Sequence, residues 1–401
     1  MSEHVPVKIP LLDLKAQYQT LRGQISLAID DLLESQLFIL GPVVGRFEEQ
    51  MASYLGCRAA IGVASGSDAL LLSLMALDIG PGCGIVVPPF TFFATVSCIV
   101  RLGATPVFVD VDPETCLVTG DGVESVLADC ETDPEDGGLR HLKSRSRIKA
   151  LLPVHLFGQT CDMKRLSALA ARHGLSLVED VAQAMGARIP LGNGVSKSAG
   201  SVGDLGCFSF FPTKNLGGIG DGGLVATNRT DLAEKISALR MHGESARYHH
   251  EFIGINSRLD VIQASVLTVK LRYLDQWCVQ RIERAQTYRN LLTASGLLGQ
   301  GLISVPAAGA DRTHVFNYYV IRVERRDPLQ QYLSAHGIQS AVYYPIPLHL
   351  QSCFKNLGYR RGEFPNAERI ASEVLALPMY PELTSPQQEY VVDTIRNFFR
   401  L

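Results

Sequence analysis

The sequence predicts an α/β fold, with a large domain built on a mixed but mostly parallel sheet and a smaller C-terminal α+β domain. Helix-like and strand-like segments alternate between about residues 45 and 230. The strand-like segments are apolar throughout, which is typical of parallel strands covered on both faces. After Asn228 helix-like segments dominate. Since 401 residues suit one large and one smaller domain, we expect these to span residues 1–260 and 261–401.

The elements of the large domain follow in a regular order. The first forty residues contain one helix-like segment that can pack on either domain. Leu70, Leu74 and Leu77 lie on one stripe of a later helix, as expected for an amphipathic segment. The alternating helices and strands are GRFEEQMASYLG, RAAIGVAS, SDALLLSLMALDI, GIVVPP, TFFATVSCIVRLG, TPVFVDVD, RIKALLPVHLFG, MKRLSALAARHG and LSLVED.

The C-terminal part reads as long helices with two strands. We expect a helix in RTDLAEKISALRMHG, a long helical stretch from LDVIQA to YRNLL, strands in HVFNYYVIRV and GIQSAVYYPI, and helices in NAERIASEVLALP and SPQQEYVVDTIRNFF. Two polar, glycine-containing segments, 131–147 and 189–203, are predicted to be surface loops.

Composition and charge argue against several classes of partner. The formal net charge of −3 gives no reason to expect nucleic acid or an anionic membrane as a partner. The longest apolar stretch is interrupted by Pro88 and Pro89, so it predicts a strand and a helix, not a membrane span. The start, MSEHVPVKIPLL, lacks the features of a signal peptide. Nine scattered cysteines without a CxxC pair indicate reduced thiols in the cytoplasm and no zinc site.

One lysine stands out because Lys214 lies between aromatic residues and glycines in FSFFPTKNLGGIGDGG. A P-loop requires its glycines before the lysine and a Ser or Thr after it. Here the glycines follow, and Asn215 occupies the next position, so a P-loop is excluded. An ordinary surface charge beside a turn and a Schiff-base lysine remain as alternatives. The second requires an apolar environment that lowers the pKa of the lysine and a cofactor with an aldehyde.

Pyridoxal phosphate (PLP) is such a cofactor, and the sequence offers candidates for its other needs. In VASGSDALLLSL a strand ends and Gly66 and Ser67 open a helix, whose free amides can bind a phosphate. Ser-Gly-Ser is also a common strand-to-helix turn. In LSLVEDVAQAMGA, Glu179 and Asp180 end a strand, so one side chain points into a site there and the other away. Such an aspartate can bind the pyridine nitrogen or simply cap a helix.

Taken together, the motifs resemble the DegT-type nucleotide-sugar aminotransferases, a branch of the aspartate aminotransferase superfamily with fold type I. The resemblance runs nearly end to end, through IPLLDLKAQY, FILGPVVGRFEEQ, SGSDAL, VPPFTFFATV, PVFVDVDPET, PVHLFGQ, VEDVAQAMGA, FSFFPTKNLGGIGDGG, GINSRLDVIQA and YYPIPLHLQ. It implies a fold-type-I PLP enzyme.

The resemblance also implies roles for individual residues. Lys214 would bind the cofactor covalently and serve as general acid/base, and Asp180 would bind the pyridine nitrogen. Arg258 and Tyr343 would contact the nucleotide-sugar, and His155 would be a structural hydrogen-bonding residue. The other implied cofactor contacts are the phosphate ligands Gly66, Ser67 and Ser209, the ring-stacking Phe92, Gln183 at the phenolic oxygen side of the ring, and Asn256, which would reach the phosphate of a neighbouring subunit in a homodimer.

Purely structural roles for the same residues remain possible from the sequence. Ser209 can satisfy backbone in a strand, Phe92 can be a core residue, Asn256 a turn residue, and Arg258 a partner of Asp260 or of a helix end. The chain also departs from the family pattern: Met185 replaces a histidine that is frequent after the aspartate, Ser67 replaces a frequent threonine, and Tyr343 stands where histidine is common. These departures leave the cofactor chemistry intact and put the substrate in question.

The implied reaction is the transfer of an amino group from an amino acid, glutamate, through PLP and pyridoxamine phosphate to a nucleotide-linked keto-sugar. RYHHEFIGINSRLDVIQA and YYPIPLHLQ resemble the enzymes that act on 3-keto sugars more than those that act on 4-keto sugars. UDP and dTDP both remain open as the nucleotide. Rival functions are a 4-keto sugar aminotransferase, a sugar dehydratase, in which a histidine replaces the lysine, and a non-catalytic sensor. Lys214 argues against the last two.

Overall fold

The computed structural model describes residues 8–134, 137–307 and 313–401, so the MSEHVPV start lies outside the described residues. Its α-helices are α1 Leu14–Ser35, α2 Gly41–Leu55, α3 Gly66–Ala76, α4 Phe93–Arg101, α5 Gly120–Ala128, α6 Met163–Arg172, α7 Thr230–Leu239, α8 Val261–Leu271, α9 Leu274–Ala294, α10 Arg326–Ala335, α11 Pro365–Glu373 and α12 Ser385–Phe399. Across these three ranges no helix has the length and apolar character needed to cross a membrane.

The strands are short and mostly apolar. They are β1 Ala59–Val63, β2 Cys83–Val87, β3 Thr105–Phe108, β4 Cys130–Thr132, β5 Leu139–His141, β6 Arg147–Leu151, β7 Ser176–Asp180, β8 Arg188–Gly192, β9 Val195–Ser198, β10 Leu205–Ser209, β11 Gly223–Thr227, β12 Glu244–Ala246, β13 His249–His250, β14 Tyr319–Arg322 and β15 Val374–Leu377.

One nine-stranded sheet organises the fold. Its main order is β1-β11-β10-β7-β6-β2-β3, with the β4–β5 hairpin joined to β6. The five strands from β10 to β3 are parallel neighbours, whereas β11 is antiparallel to both β1 and β10. The predicted α/β class with a mixed, mostly parallel sheet is confirmed. Strands β1, β7 and β10 therefore run in the same direction, and their C-terminal ends meet at one edge of the sheet.

Two large apolar clusters form the core. The larger one surrounds the sheet and its covering helices and includes Phe47, Leu72 and Phe208. The second joins α9, α10 and α12 to the two-stranded β14–β15 sheet around Tyr288 and Leu329. The helical lead-in, α1, packs on α8 through a third, small cluster. The division into domains at residue 260 stays a prediction.

Three predicted elements of the C-terminal part differ in the structure. The long helix is broken between α8 and α9, where Tyr273 lies outside both helices. The helix predicted in NAERIASEVLALP ends at Glu373, because the next four residues pair with β14 as β15. The strand predicted in GIQSAVYYPI is reduced to isolated bridges at Ile338 and Ala341. Pro345 and Pro347 follow and cannot donate ladder hydrogen bonds.

The two segments predicted as loops contain hairpins. Within 131–147, β4 and β5 pair, and residues 135 and 136 lie outside the described residues. In 189–203, β8 and β9 pair, and the segment continues into the buried Ser198–Ser201. The end of this segment is buried because its backbone amides bind a buried carboxylate. Glu179 accepts hydrogen bonds from three backbone amides between residues 200 and 203.

Candidate active site

A cavity of about 440 Å³ lies where the ends of β1, β7 and β10 meet. Residues from all three loops that follow these strands line it, together with two segments of the C-terminal part. Of the residues singled out in the sequence, it is lined by Gly66, Ser67, Phe92, Asp180, Gln183, Ser209, Lys214 and Tyr343.

Lys214 follows β10 in a tight turn. Its backbone N–H donates to the Phe211 carbonyl at 2.9 Å, and its side chain enters the cavity wall. Burial lowers the pKa of the Lys214 amine to about 8, while the nearby Asp180 carboxylate acts in the opposite direction. The amine is thus deprotonated, and nucleophilic, at a lower pH than that of an exposed lysine.

Asp180, the last residue of β7, is 4% exposed and turns towards the cavity. Its Oδ2 accepts from the Thr95 hydroxyl at 2.8 Å, and its Oδ1 accepts from the Ala182 amide at 3.1 Å. Burial raises the pKa of the carboxyl, and these two donors and Lys214 oppose the shift. A protonated ring nitrogen would further favour the charged carboxylate.

Glu179 points the other way, as strand alternation requires. His155 donates from Nε2 to Glu179 Oε2 at 2.9 Å, and the Cys161 amide donates to His155 Nδ1 at 3.0 Å. Because Nδ1 accepts a hydrogen bond, the imidazole is in its neutral Nε2–H form. The His155 amide also donates to the Asp180 carbonyl at 3.0 Å, so His155 lies behind the site as a structural group.

A helix N-terminus forms one end of the cavity. The Ser65 hydroxyl caps α3 by accepting from the Asp68 amide at 3.1 Å, whereas the Gly66 and Ser67 amides have no acceptor among the described residues. A Cβ on Gly66 would lie 2.6 Å from the Ser209 Cβ, so glycine is required there. Two amides, two hydroxyls and a helix dipole suit a phosphate.

The segment that contains Asn256 and Arg258 is anchored beside this helix. Ser257 donates to Asp68 Oδ2 at 2.8 Å and accepts from the Ala64 amide at 3.2 Å. Asn256 is exposed and forms a backbone bridge with Met241, and neither Asn256 nor Arg258 lines the cavity. Within one chain, Asn256 and Arg258 therefore lie apart from the eight predicted site residues that line the cavity.

Gln183 connects the cavity wall to the C-terminal part. Its Oε1 accepts from the Phe157 amide at 2.6 Å, and its Nε2 donates to the Tyr344 hydroxyl at 2.9 Å. One amide hydrogen of Gln183 is left over for a ligand. The Tyr344 ring lies 5.8 Å from that of Phe92, which lines the cavity and is 54% exposed.

Sequence reasoning missed several lining residues, namely Thr91, Thr213, Asp221, Tyr318 and Tyr344, and the Asp180 partner Thr95. Thr91, Thr95, Thr213, Asp221 and Tyr344 lie within or beside quoted motifs. Tyr318 gave no such signal, because it was read only as part of a strand.

The fold and the site define a class of protein. A mixed α/β sheet with a lysine of lowered pKa, an aspartate and an open helix N-terminus at one edge is suited to a PLP-dependent enzyme. The sequence model of the DegT/DnrJ/EryC1/StrS aminotransferase family matches residues 19–396. The chain belongs to this family.

Curated relatives match over nearly the whole chain. A "pleiotropic regulatory protein" of Geobacillus stearothermophilus is 44% identical, over 98% of this chain and 99% of that protein. The UDP-N-acetyl-3-dehydro-alpha-D-glucosamine 3-aminotransferase of Acidithiobacillus ferrooxidans is 42% identical over 97% of each. The dTDP-3-amino-3,4,6-trideoxy-alpha-D-glucose transaminase of Streptomyces venezuelae is 41% identical, over 98% and 96%.

Solved structures agree. DesV of S. venezuelae, in complex with a ketimine intermediate, aligns with a TM-score of 0.88 at 39% identity, covering 98% of this chain and 99% of that one. NtdA of Bacillus subtilis, with bound cofactor PMP, aligns with a TM-score of 0.83 at 27% identity, covering 100% and 87%. The chain is therefore a PLP-dependent aminotransferase of fold type I.

The residues in the cavity fit this cofactor. Gly66 lets the start of α3 lie against Ser209, and its free amide and that of Ser67 can bind a phosphate. The Asp180 carboxylate can pair with a ring nitrogen. Lys214 supplies a buried amine with a lowered pKa. The observed donors and acceptors thus match the three chemical demands of PLP.

Proposed function

We propose that this chain transfers an amino group from glutamate to a UDP- or dTDP-linked hexose with a ketone at C3, for the synthesis of amino sugars in the cytoplasm. The observation that carries the proposal is the convergence of Lys214 and Asp180 in one cavity with mostly uncharged walls. The two relatives above whose names give a sugar act at its C3 position. Whether the enzyme acts instead on 4-keto sugars is tested by the substrate panel described below.

The cavity residues would hold the cofactor at both ends. The Gly66 and Ser67 amides and the Ser67 and Ser209 hydroxyls would bind the phosphate, and Asp180, fixed by Thr95, would bind the ring nitrogen. Phe92 would cover one ring face, and Gln183 would use its spare amide hydrogen near the phenolic oxygen. Bound PLP supplies an aldehyde and an electron-withdrawing ring, which let an amino group pass from one substrate to the other.

Lys214 Nζ would act as the proton carrier. Once it is free of the cofactor, its neutral amine would move a proton between the carbon that bears the amino group and the cofactor. Its lowered pKa lets the amine accept and release protons near neutral pH. Asp180 stays negative and keeps the ring nitrogen protonated.

A homodimer would complete the site. Lys214 is the only cation among the described residues that line the cavity, yet the proposed substrates carry carboxylates and phosphates. Asn256 and Arg258 lie outside this cavity. We assign Asn256 to the cofactor phosphate and Arg258 to an anionic substrate group in the cavity of a second copy.

The purified protein is expected to show a visible absorbance band of lysine-bound PLP, absent in Lys214→Ala. A protein that cannot be loaded with PLP would contradict the enzyme assignment.

The substrate is tested with glutamate and a panel of UDP- and dTDP-linked 3-keto and 4-keto sugars. Formation of the 3-amino sugar from at least one of them is expected. Turnover of 4-keto sugars alone would contradict the assignment of C3. Equal rates with glutamate and with alanine as donors would contradict the assignment of glutamate.

A further inference from the structure

The loop that carries Lys214 is closed at its base by backbone hydrogen bonds. The Phe210 amide donates to the Gly222 carbonyl at 2.8 Å, and the Gly218 amide donates to the Phe210 carbonyl at 2.7 Å. Residues 211–217 therefore form a loop whose two ends meet at Phe210. Lys214 lies in the middle of this loop, in the wall of the cavity. Contacts that hold the base of the loop thus limit where the lysine side chain can lie.

One helix, α8, contacts the base of this loop through two buried side chains. Gln263 Oε1 accepts from the Ile219 amide at 2.8 Å, and Lys270 Nζ donates to the Gly217 carbonyl. Residues seven positions apart on a helix lie on the same face, so both side chains reach the loop from one side of α8. Neither is among the described residues that line the cavity. The loop is therefore held from behind, by groups outside the site.

Two glycines of the FSFFPTKNLGGIGDGG motif make room for Gln263. A Cβ on Gly218 would lie 2.5 Å from Gln263 Oε1, and a Cβ on Gly220 would lie 2.6 Å from Gln263 Nε2. A side chain at either position would have to displace the glutamine or the loop. Glycine at both positions lets the backbone that follows Lys214 pack directly on the amide group of Gln263.

We propose that Gln263 is a positioning residue that holds the Lys214 loop so that the lysine amine can bond to the cofactor. The inference rests on the role of Lys214 in the proposed function and adds a residue that acts through it. When the loop is released, the amine occupies the required position for a smaller fraction of the time. The apparent affinity for PLP then falls in proportion to that fraction. Contacts made by Asp180 and by the start of α3 are on other elements and should persist.

The test compares two buried glutamines. Gln263→Met removes the acceptor of the Ile219 amide and keeps the length of the side chain. Gln388→Met is the matched control, because Gln388 is also buried on a helix, α12, and its Nε2 donates to the Arg284 carbonyl at 2.7 Å. Gln388 does not line the cavity. Gly218→Ala serves as a second variant, since its new Cβ disturbs the same contact from the side of the loop.

The affinity of each cofactor-free variant is measured for PLP and for pyridoxamine phosphate (PMP) by absorbance and fluorescence titration. PMP has an amine in place of the aldehyde, so it cannot bond to a lysine and reports only on the rest of the site. We expect Gln263→Met to weaken PLP binding about tenfold, as for the loss of one hydrogen bond, and PMP binding by less than about twofold. Gly218→Ala should show the same selective loss, and Gln388→Met should match the wild type.

The same change in a Lys214→Ala background separates positioning of the lysine from general support of the fold. Without the lysine, Gln263→Met should weaken PLP binding by less than about twofold, because the two residues act as a unit. Unchanged PLP affinity in Gln263→Met, an equal loss for PLP and PMP, or an equal loss with and without Lys214 would overturn the inference and leave the proposed function intact. If Lys214→Ala bound PLP as tightly as the wild type, the proposed role of Lys214 would be wrong, and this inference with it.

Discussion

The Thr95 hydroxyl lies 2.8 Å from Asp180 Oδ2 and ties the first turn of α4 to the end of β7. Both groups are buried, so the hydrogen bond helps to keep the aspartate charged despite its low-dielectric surroundings. The carboxylate that would bind the cofactor is therefore positioned by Thr95, which does not line the cavity.

Replacing Thr95 should weaken the cofactor site. Thr95→Val keeps the shape of the side chain and removes a donor to a charged acceptor, a loss of about 1.5–3 kcal/mol, or about tenfold or more in PLP affinity. PLP titration of the cofactor-free protein measures the effect. Thr394→Val is the control, because Thr394 is buried in α12, its hydroxyl donates to the Tyr390 carbonyl at 2.7 Å, and it does not line the cavity. Equal weakening in both variants would contradict the account.

Gly66→Ala should disturb the phosphate end of the site. Its new Cβ would lie 2.6 Å from the Ser209 Cβ, and such overpacking costs about 1–3 kcal/mol. Thermal unfolding of the cofactor-free protein should show this loss. Adding Ser209→Gly removes the clash, and should restore stability without restoring PLP affinity, because the hydroxyl is lost. If the double variant is no more stable than Gly66→Ala, steric contact with Ser209 is not the cause of the lost stability.

The capture of PLP by cofactor-free protein should follow the ionisation of Lys214. Its pKa is lowered to about 8, so the neutral amine becomes dominant above that pH. The rate of PLP attachment, followed by absorbance, should rise about tenfold per pH unit below pH about 8 and level off above it. An inflection near the ordinary lysine value of 10.5 would show that the amine is not buried as described.

Lys270 provides a stability test that is independent of the cofactor. This buried residue of α8 donates to the Gly217 carbonyl at 2.5 Å, and burial lowers the pKa of its amine to about 8. The folded state thus releases this proton before the unfolded state does, so between pH about 8 and the unfolded value of 10.5 the lysine adds stability as pH rises. Below pH about 8 Lys270 does not change the free energy of unfolding as pH varies, because it is protonated in both states.

The measurement is the difference in Tm between Lys270→Met and wild type, because buried thiols such as Cys207, whose pKa is raised, act in the opposite direction at high pH. The advantage of Lys270→Met, which carries no buried charge, should shrink as pH rises from about 8 to 10. A constant difference would contradict a lowered pKa for Lys270.

The sequence predicted the parts of the site that local rules govern. Asp180 and Glu179 were placed at a strand end by apolar patterning, and Gly66 and Ser67 at a helix start by turn chemistry. The choice between Asp180 and Glu179 came from the family resemblance, and the structure shows its cause in the amides at residues 200–203 that Glu179 satisfies.

Long-range contacts account for what was missed. Tyr318 and Tyr344 reach the cavity only because the C-terminal segments fold back over the sheet, and β15 exists only because β14 is there to pair with it. Neither relation has a local signature. The 189–203 segment was predicted to be a surface loop for the same reason. Its polar composition gives no sign that its backbone amides bind the buried carboxylate of Glu179, which lies in another strand.

The central claim is that Lys214, and no other lysine, carries the cofactor. Lys270 is the natural competitor, because burial lowers the pKa of its amine to about 8, as it does for Lys214. Borohydride reduction of the PLP-loaded protein, followed by proteolysis and mass spectrometry, locates the attached group. We predict that the modified peptide contains Lys214 and that Lys270 is unmodified. Modification of Lys270, or of no lysine, would contradict this prediction.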